Sequence, residues 1–170
     1  MNSRPDSTEV ADYYMTYVSK VPEGDIRRTL RDQALSTRHM LEQIPAPKAG
    51  HRYGPDKWSI RQVVNHVNDT ERVFAFRAFW FARGLEPALP SFDQDEAVKR
   101  AVAEEREWTG LIHEFTSVRA ATIDLFDSLD REAWLRRGVA SGNPFTVRAL
   151  AWITAGHVEH HLGILRERYL

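Results

Sequence analysis

The chain has 170 residues, with 23 lysines and arginines against 24 aspartates and glutamates, seven histidines and no cysteine, for a net charge of -1. Basic and acidic residues are interleaved throughout, so no basic stripe of the kind nucleic acid demands is present. The lack of cysteine excludes disulfides, thiolate metal sites and cysteine nucleophiles.

No membrane partner is expected. The most apolar run, residues 73–82, is interrupted by Arg77 and is far short of the ~20 residues that cross a bilayer. The first twenty residues carry Arg4, Asp6, Glu9 and Asp12 where a secretory leader needs an apolar core. A cytoplasmic home is therefore expected, and the length suits one compact domain over residues 1–170.

Residues 8–20 contain Val10, Tyr13, Tyr14, Tyr17 and Val18, a short aromatic helix ended by Val21-Pro22 and placed to pack over one end of the body. Asp25 then opens a longer pattern. Ile26, Leu30, Ala34, Thr37, Leu41 and Ile44 recur at intervals of three and four until Pro45 and Pro47 stop them. After a linker at 46–57 with two prolines and two glycines, Ser59 and Gln62 form a capping box, with Trp58 placed to staple against Val63. The second long helix starts there. Its stripe runs through Ile60, Val63, Val67, Phe74, Ala78 and Phe81 and ends at Gly84.

Residues 84–96 are polar and proline-containing, of a length compact domains keep for crossovers or site lids, and a lid is the expectation. A third helix carries Trp108, Leu111, Ile112, Phe115, Val118, Thr122, Leu125, Phe126 and Leu129. Residues 130–143 read as a loop. The fourth helix begins at Asn143-Pro144 or at Thr146 and runs through Leu150, Ile153, His157, His161 and Ile164. No alternating strand pattern is evident. Four long amphipathic helices and one minor one predict an all-α four-helix bundle with at least one long crossover.

Three of the seven histidines, His157, His160 and His161, lie within five residues. At ~100° per residue they share one inward stripe with Leu150, Ile153 and Ile164. Imidazoles buried there need either a hydrogen-bond network or a cation. A zinc-type site needs a third ligand, and His66, at the edge of the second helix's stripe, is the best placed to supply it. His39 and His113 read as solvated, and His51 reaches a site only if its linker folds over the bundle end. His66, His157 and His161 thus form a candidate set of three neutral nitrogen ligands with positions left open. Asp69 and Glu159 are candidates to orient the imidazoles, Glu159 reading rather as solvated, and His160 is explained equally by orienting the ligands, by acting as a base or by an interface contact.

The segments 57–72, 89–95 and 156–162, with His66 in the first and the H-x-x-x-H of His157 and His161 in the last, resemble the DinB-like superfamily, and the resemblance spans nearly the whole chain. It implies an up-down-down-up bundle, with His66, His157 and His161 as the ligands of one divalent ion, commonly zinc or nickel. It also implies a hydrolase or a transferase using a low-molecular-weight thiol as co-substrate, a small-molecule substrate, and often a homodimer.

Elsewhere, Arg119 and Glu71 fall on inward stripes and are expected to pair across the interior. Arg77 projects on the same side as His66, about three turns further on, where it either meets an anionic substrate or snorkels to solvent. Asp93 and Asp95 lie in the expected lid. Trp108, Trp134 and Trp152 read as packing. Two functional readings follow. One is an enzyme whose cation acts as a Lewis acid, with His160, Asp69 or Glu159 as base and Arg77 or Asp93 as substrate contacts. The other is a non-enzymatic, stress-linked metal-binding or interaction module with a structural or vestigial site.

Overall fold

The computed structural model describes residues 3–170. A short helix α1 (Asp12–Val18) precedes α2 (Ile26–Glu42), α3 (Ile60–Ala82), a short α4 (Gln94–Arg100), α5 (Trp108–Asp127), a one-turn α6 (Arg131–Leu135), a two-stranded hairpin and α7 (Val147–Ile164). The four long helices, α2, α3, α5 and α7, form the bundle in up-down-down-up order. Both α2 and α3 pack chiefly on α5 and α7, so the two consecutive helices face each other across a diagonal. The parallel pair α3 and α5 is joined by the long crossover that the topology requires.

Local chemistry fixes where the site-bearing helices start. Ser59 Oγ accepts from the Gln62 N–H at 3.1 Å while Gln62 Oε1 accepts from the Ser59 N–H at 3.0 Å, closing the capping box of α3. On α7, Thr146 rather than Asn143 is the cap, its Oγ1 accepting from the Ala149 N–H at 3.0 Å and donating to Glu9 at 2.8 Å.

Two apolar clusters fill the bundle. One joins α1, the N-terminal parts of α2 and α7, the C-terminal part of α3 and the hairpin around Phe81, Trp134, Phe145 and Trp152. The other lies at the opposite end, around Ile60, Val63, Trp108, Leu111, Phe115 and Leu162. Buried polar groups separate them: His66, His157, His161, Thr70, Gln33, Glu71 and Arg119. Within that layer Arg119, fully buried, grips the Glu71 carboxylate bidentately at 2.7 and 2.8 Å and donates to Gln33 Oε1 at 2.7 Å. The expected interior ion pair is therefore present, and it reaches a third helix through Gln33.

Two expectations need correction and a third gains detail. Residues 130–143 are not simply a loop. They hold α6 and the first strand of an antiparallel hairpin, β1 (Arg137–Ala140) with β2 (Asn143–Thr146), turning through Ser141 and Gly142 at φ 53° and 72°. Strands of four residues are too short to display a period of two, and the positive-φ pair is the signature of a type I′ turn. Gly138 in β1 lies flat on Phe81, where an added Cβ would meet the ring at 1.9 Å. The expected lid does border the site, Phe92 lining a cleft that reaches His157, and its first part is tied to the hairpin. Leu89 N–H donates to Val139 O at 2.9 Å and Ser141 N–H to Leu89 O at 3.1 Å, and the end of the segment enters α4. Finally, Arg77 does not snorkel: it is 4% exposed.

Candidate metal centre

Antiparallel packing of α3 against α7 brings the first two turns of one beside the last turns of the other. His66 of α3 therefore meets His157 and His161 of α7. The Nε2 atoms of His66 and His157 are 3.1 Å apart, as are those of His161 and His157. Ligand atoms from all three lie within 4.8 Å of one another. The imidazoles are 2%, 4% and 8% exposed. Burial holds each of them neutral, pushing His66 down to about 4 and His157 and His161 well below the ordinary histidine range, with the neighbouring rings acting in the same direction.

The donor set can be satisfied in two ways. With His157 Nε2 as a shared acceptor, the other two rings can donate to it. Alternatively, three lone pairs can converge on one cation. Tetrahedral coordination at the usual metal–nitrogen distance of about 2.0–2.1 Å sets ligand nitrogens roughly 3.3 Å apart. The two 3.1 Å separations approach that spacing, and with all three ligand atoms within 4.8 Å of one another the donor set fits a divalent ion after adjustment of the side chains.

Neighbouring side chains fix the rings. Thr70 Oγ1, one turn after His66, lies 3.3 Å from His66 Nδ1. If that nitrogen carries the proton and Thr70 accepts, His66 Nε2 keeps its lone pair for a ligand. Trp58 lies against His66 with ring centroids 4.9 Å apart and planes tilted by 49°. On the other side Tyr17 lies edge-on to His157 at 5.4 Å and to His160 at 5.5 Å. Gly156 makes this approach available, because a Cβ there would lie 2.0 Å from the Tyr17 carbonyl oxygen. Thr70 could have been found from its i, i+4 spacing to His66. The Tyr17–Gly156 contact has no local signal, since it joins segments nearly the whole chain apart.

The other candidates sit as follows. Asp69 accepts from Asn65 at 2.7 Å and Arg72 at 3.2 Å, and burial raises its pKa. Glu159 accepts from Gln33 at 2.7 Å and so belongs to the Arg119 network. Asp93 caps α4, accepting from the N–H groups of Asp95 and Glu96. None of these three carboxylates joins the histidine cluster. His160 is half-buried, its ring 5.0 Å from that of His161, and its pKa is lowered, mainly by burial. His39, His51 and His113 are exposed.

Two clefts approach the centre. One, of about 220 Å³, is lined by Tyr14, Tyr17, Thr70, Phe74, Arg77 and His157 among others. A second of about 220 Å³, lined by Trp58, Val63, Tyr169 and neighbours, reaches His161. No helix among the described residues is long and apolar enough to cross a membrane.

Comparison with known proteins agrees with this architecture. The sequence matches the DinB superfamily over residues 29–165, a span that includes all three histidines. No curated protein matches the chain significantly. Among solved structures the chain is similar to YfiT from Bacillus subtilis, described as a probable metal-dependent hydrolase with an unusual four-helix bundle topology. The identity is 14% and the TM-score 0.75, over 96% of this chain and 89% of that one. It is also similar to the mycothiol-dependent maleylpyruvate isomerase, at 13% identity and a TM-score of 0.69, over 85% of this chain and 61% of that one. At these identities the likeness is one of fold.

Proposed function

The chain belongs to the DinB superfamily, and from that premise we propose that it is a metal-dependent enzyme acting on a small molecule, with His66, His157 and His161 holding one divalent cation, zinc or nickel. The observation that carries this reading is the convergence of three buried, neutral Nε2 atoms beside an open cleft. A closed structural site would need all its ligands from protein, and the cleft beside His157 favours the catalytic reading over a structural or vestigial one.

When bound, the cation supplies a Lewis acid that lowers the pKa of a coordinated water or thiol. The chain's own residues favour the thiol. Asp69, Glu159 and Asp93 are engaged by other groups, and no carboxylate among the described residues groups with the three imidazoles as a possible ligand. Hydrolysis calls for a base or acid at the centre, whereas a thiol is deprotonated outright on coordination. Of the proton acceptors the sequence offers, only His160 borders the cluster, through His161, and it lines neither of the two clefts that reach the cluster. A proton released by the incoming thiol would leave to solvent through the cleft beside His157. A thiol-dependent transferase or isomerase is therefore the leading reading. The fold likeness to the mycothiol-dependent maleylpyruvate isomerase supports it, while the likeness to YfiT keeps metal-dependent hydrolysis as the second.

Zinc- or nickel-loaded protein should accelerate addition of one of a panel of low-molecular-weight thiols to a chromogenic electrophile, and His66→Ala protein should not. Hydrolysis of activated esters or amides without thiol dependence would place the second reading first.

A further inference from the structure

Arg77 is the most instructive charged residue outside the histidine cluster. It is 4% exposed, yet among the described residues it forms no ion pair. Its hydrogen-bonded partners are neutral: Nη2 donates to Ser141 Oγ at 2.8 Å and to the Pro90 carbonyl at 3.3 Å, and the Tyr14 phenol lies beside it. The guanidinium carbon lies 5.9 Å from the centroid of the Phe145 ring. Arg119, buried to a similar degree, shows what a structural arginine in this bundle looks like, with a bidentate carboxylate at 2.7 and 2.8 Å.

A desolvated cation without a counter-charge is costly. The bonds to Ser141 and Pro90 tie the crossover to the hairpin turn, and a neutral donor could make both. They do not explain the full charge. The guanidinium has five N–H donors in a planar fork matched to carboxylate and phosphate, and both of these bonds come from Nη2. Arg77 also lines the same cavity of about 220 Å³ as His157. Between them the walls mix the rings of Tyr14, Phe74 and Phe92 with the polar groups of Thr70 and Gln94, with a cation at one end and the candidate metal centre at the other. That volume is below the roughly 300–1,000 Å³ typical of sites for drug-sized ligands, which limits the occupant to a small metabolite.

We propose that this cavity is the substrate site and that its occupant is a small organic anion whose carboxylate or phosphate supplies the counter-charge that Arg77 lacks. The inference rests on the proposed metal-centred activity only in placing the reacting end of the ligand at His157. The anchoring of the anion stands on Arg77 and the cavity alone. Ser141 and the Pro90 carbonyl hold the guanidinium in place, so the hairpin and the crossover, which build no part of the histidine cluster, act together to position the anchor.

The test compares binding of phenylacetate, phenyl phosphate and phenylacetamide to the full chain by calorimetry, in metal-free and zinc-loaded protein. One or both anions should bind at least about tenfold more tightly than the amide, equivalent to about 1.4 kcal/mol. Whichever anion is preferred identifies carboxylate or phosphate as the natural group. Arg77→Gln should abolish the preference without changing the zinc stoichiometry, and Arg77→Lys should retain part of it. Equal binding of anion and amide by the wild-type protein, a comparison that needs no variant to fold, would overturn the proposal, as would an anion preference that survives Arg77→Gln. If the preference and its dependence on Arg77 hold while zinc fails to bind, the metal reading falls and the anion site stands. If zinc binds and the preference is missing, the anion site alone falls.

Discussion

Gly156→Ala tests the link between α1 and the site-bearing helix. Within α7 a glycine ordinarily weakens the helix by up to about 1 kcal/mol relative to alanine, so the simple expectation is stabilisation. The tertiary contact reverses the sign. A Cβ at 156 would lie 2.0 Å from the Tyr17 carbonyl oxygen and 2.5 Å from its carbon. Both are backbone atoms, so no rotamer change relieves the clash, and restoring ordinary contact requires α1 to retreat by about 1.4 Å, in the range where overpacking costs about 1–3 kcal/mol. The net effect should be a loss of up to about 2 kcal/mol in urea unfolding, together with displacement of the Tyr17 ring from His157, seen as a change in near-ultraviolet circular dichroism. Gly163, in the same helix, is the internal control, because a Cβ added there would meet nothing within 4 Å, and Gly163→Ala should stabilise slightly. If Gly156→Ala stabilises as Gly163→Ala does and leaves the tyrosine signal unchanged, the close approach of α1 to α7 is refuted.

Three other outcomes follow from the buried polar layer. In metal-free protein His66 titrates near 4 when folded, against about 6.5 when unfolded. The unfolded chain therefore binds more protons between these values, and stability should rise with pH from 4 to 6.5 and be lost as pH falls. His66 alone contributes on the order of 3 kcal/mol to that change, with His157 and His161 acting in the same direction; urea titrations at pH 4.5 and 7.5 should show the slope reduced in His66→Gln. Thr70→Val removes the partner of His66 Nδ1 and should weaken zinc binding about 10–100-fold, with Thr70→Ser close to wild type in a competitive chelator titration. Arg119→Met leaves the Glu71 carboxylate buried without its partner and should cost about 3–5 kcal/mol in chemical unfolding, with the Arg119→Met, Glu71→Gln pair milder than the single change.

Much of this architecture is written locally. The four long helices were legible because each repeats apolar residues at three and four and is bounded by Pro45, Gly84 or a capping residue, and the Ser59–Gln62 box fixed one helix start to the residue. The histidine set was legible for the same reason. His157 and His161 are one turn apart, and His66 borders its own helix's stripe. What was not legible depends on tertiary placement. The hairpin has strands of four residues, and its turn is identified by the backbone angles of Ser141 and Gly142. Asp69 and Glu159 were candidates by proximity in sequence, yet at ~100° per residue Glu159 points away from His157, and it meets Gln33 of α2 instead. Arg77 left two readings open, solvent or substrate, because periodicity gives a side chain's direction but not whether the crossover covers it.

Metal analysis of the purified protein tests the central claim most directly. After incubation with zinc or nickel and removal of excess ion, the wild-type chain should retain one divalent ion per chain. His66→Ala, His157→Ala and His161→Ala should each lose it, and His113→Ala, at an exposed position, should not. Wild-type protein that retains no ion, or triad variants that retain it as the wild type does, would contradict the assignment of these three histidines as a metal centre.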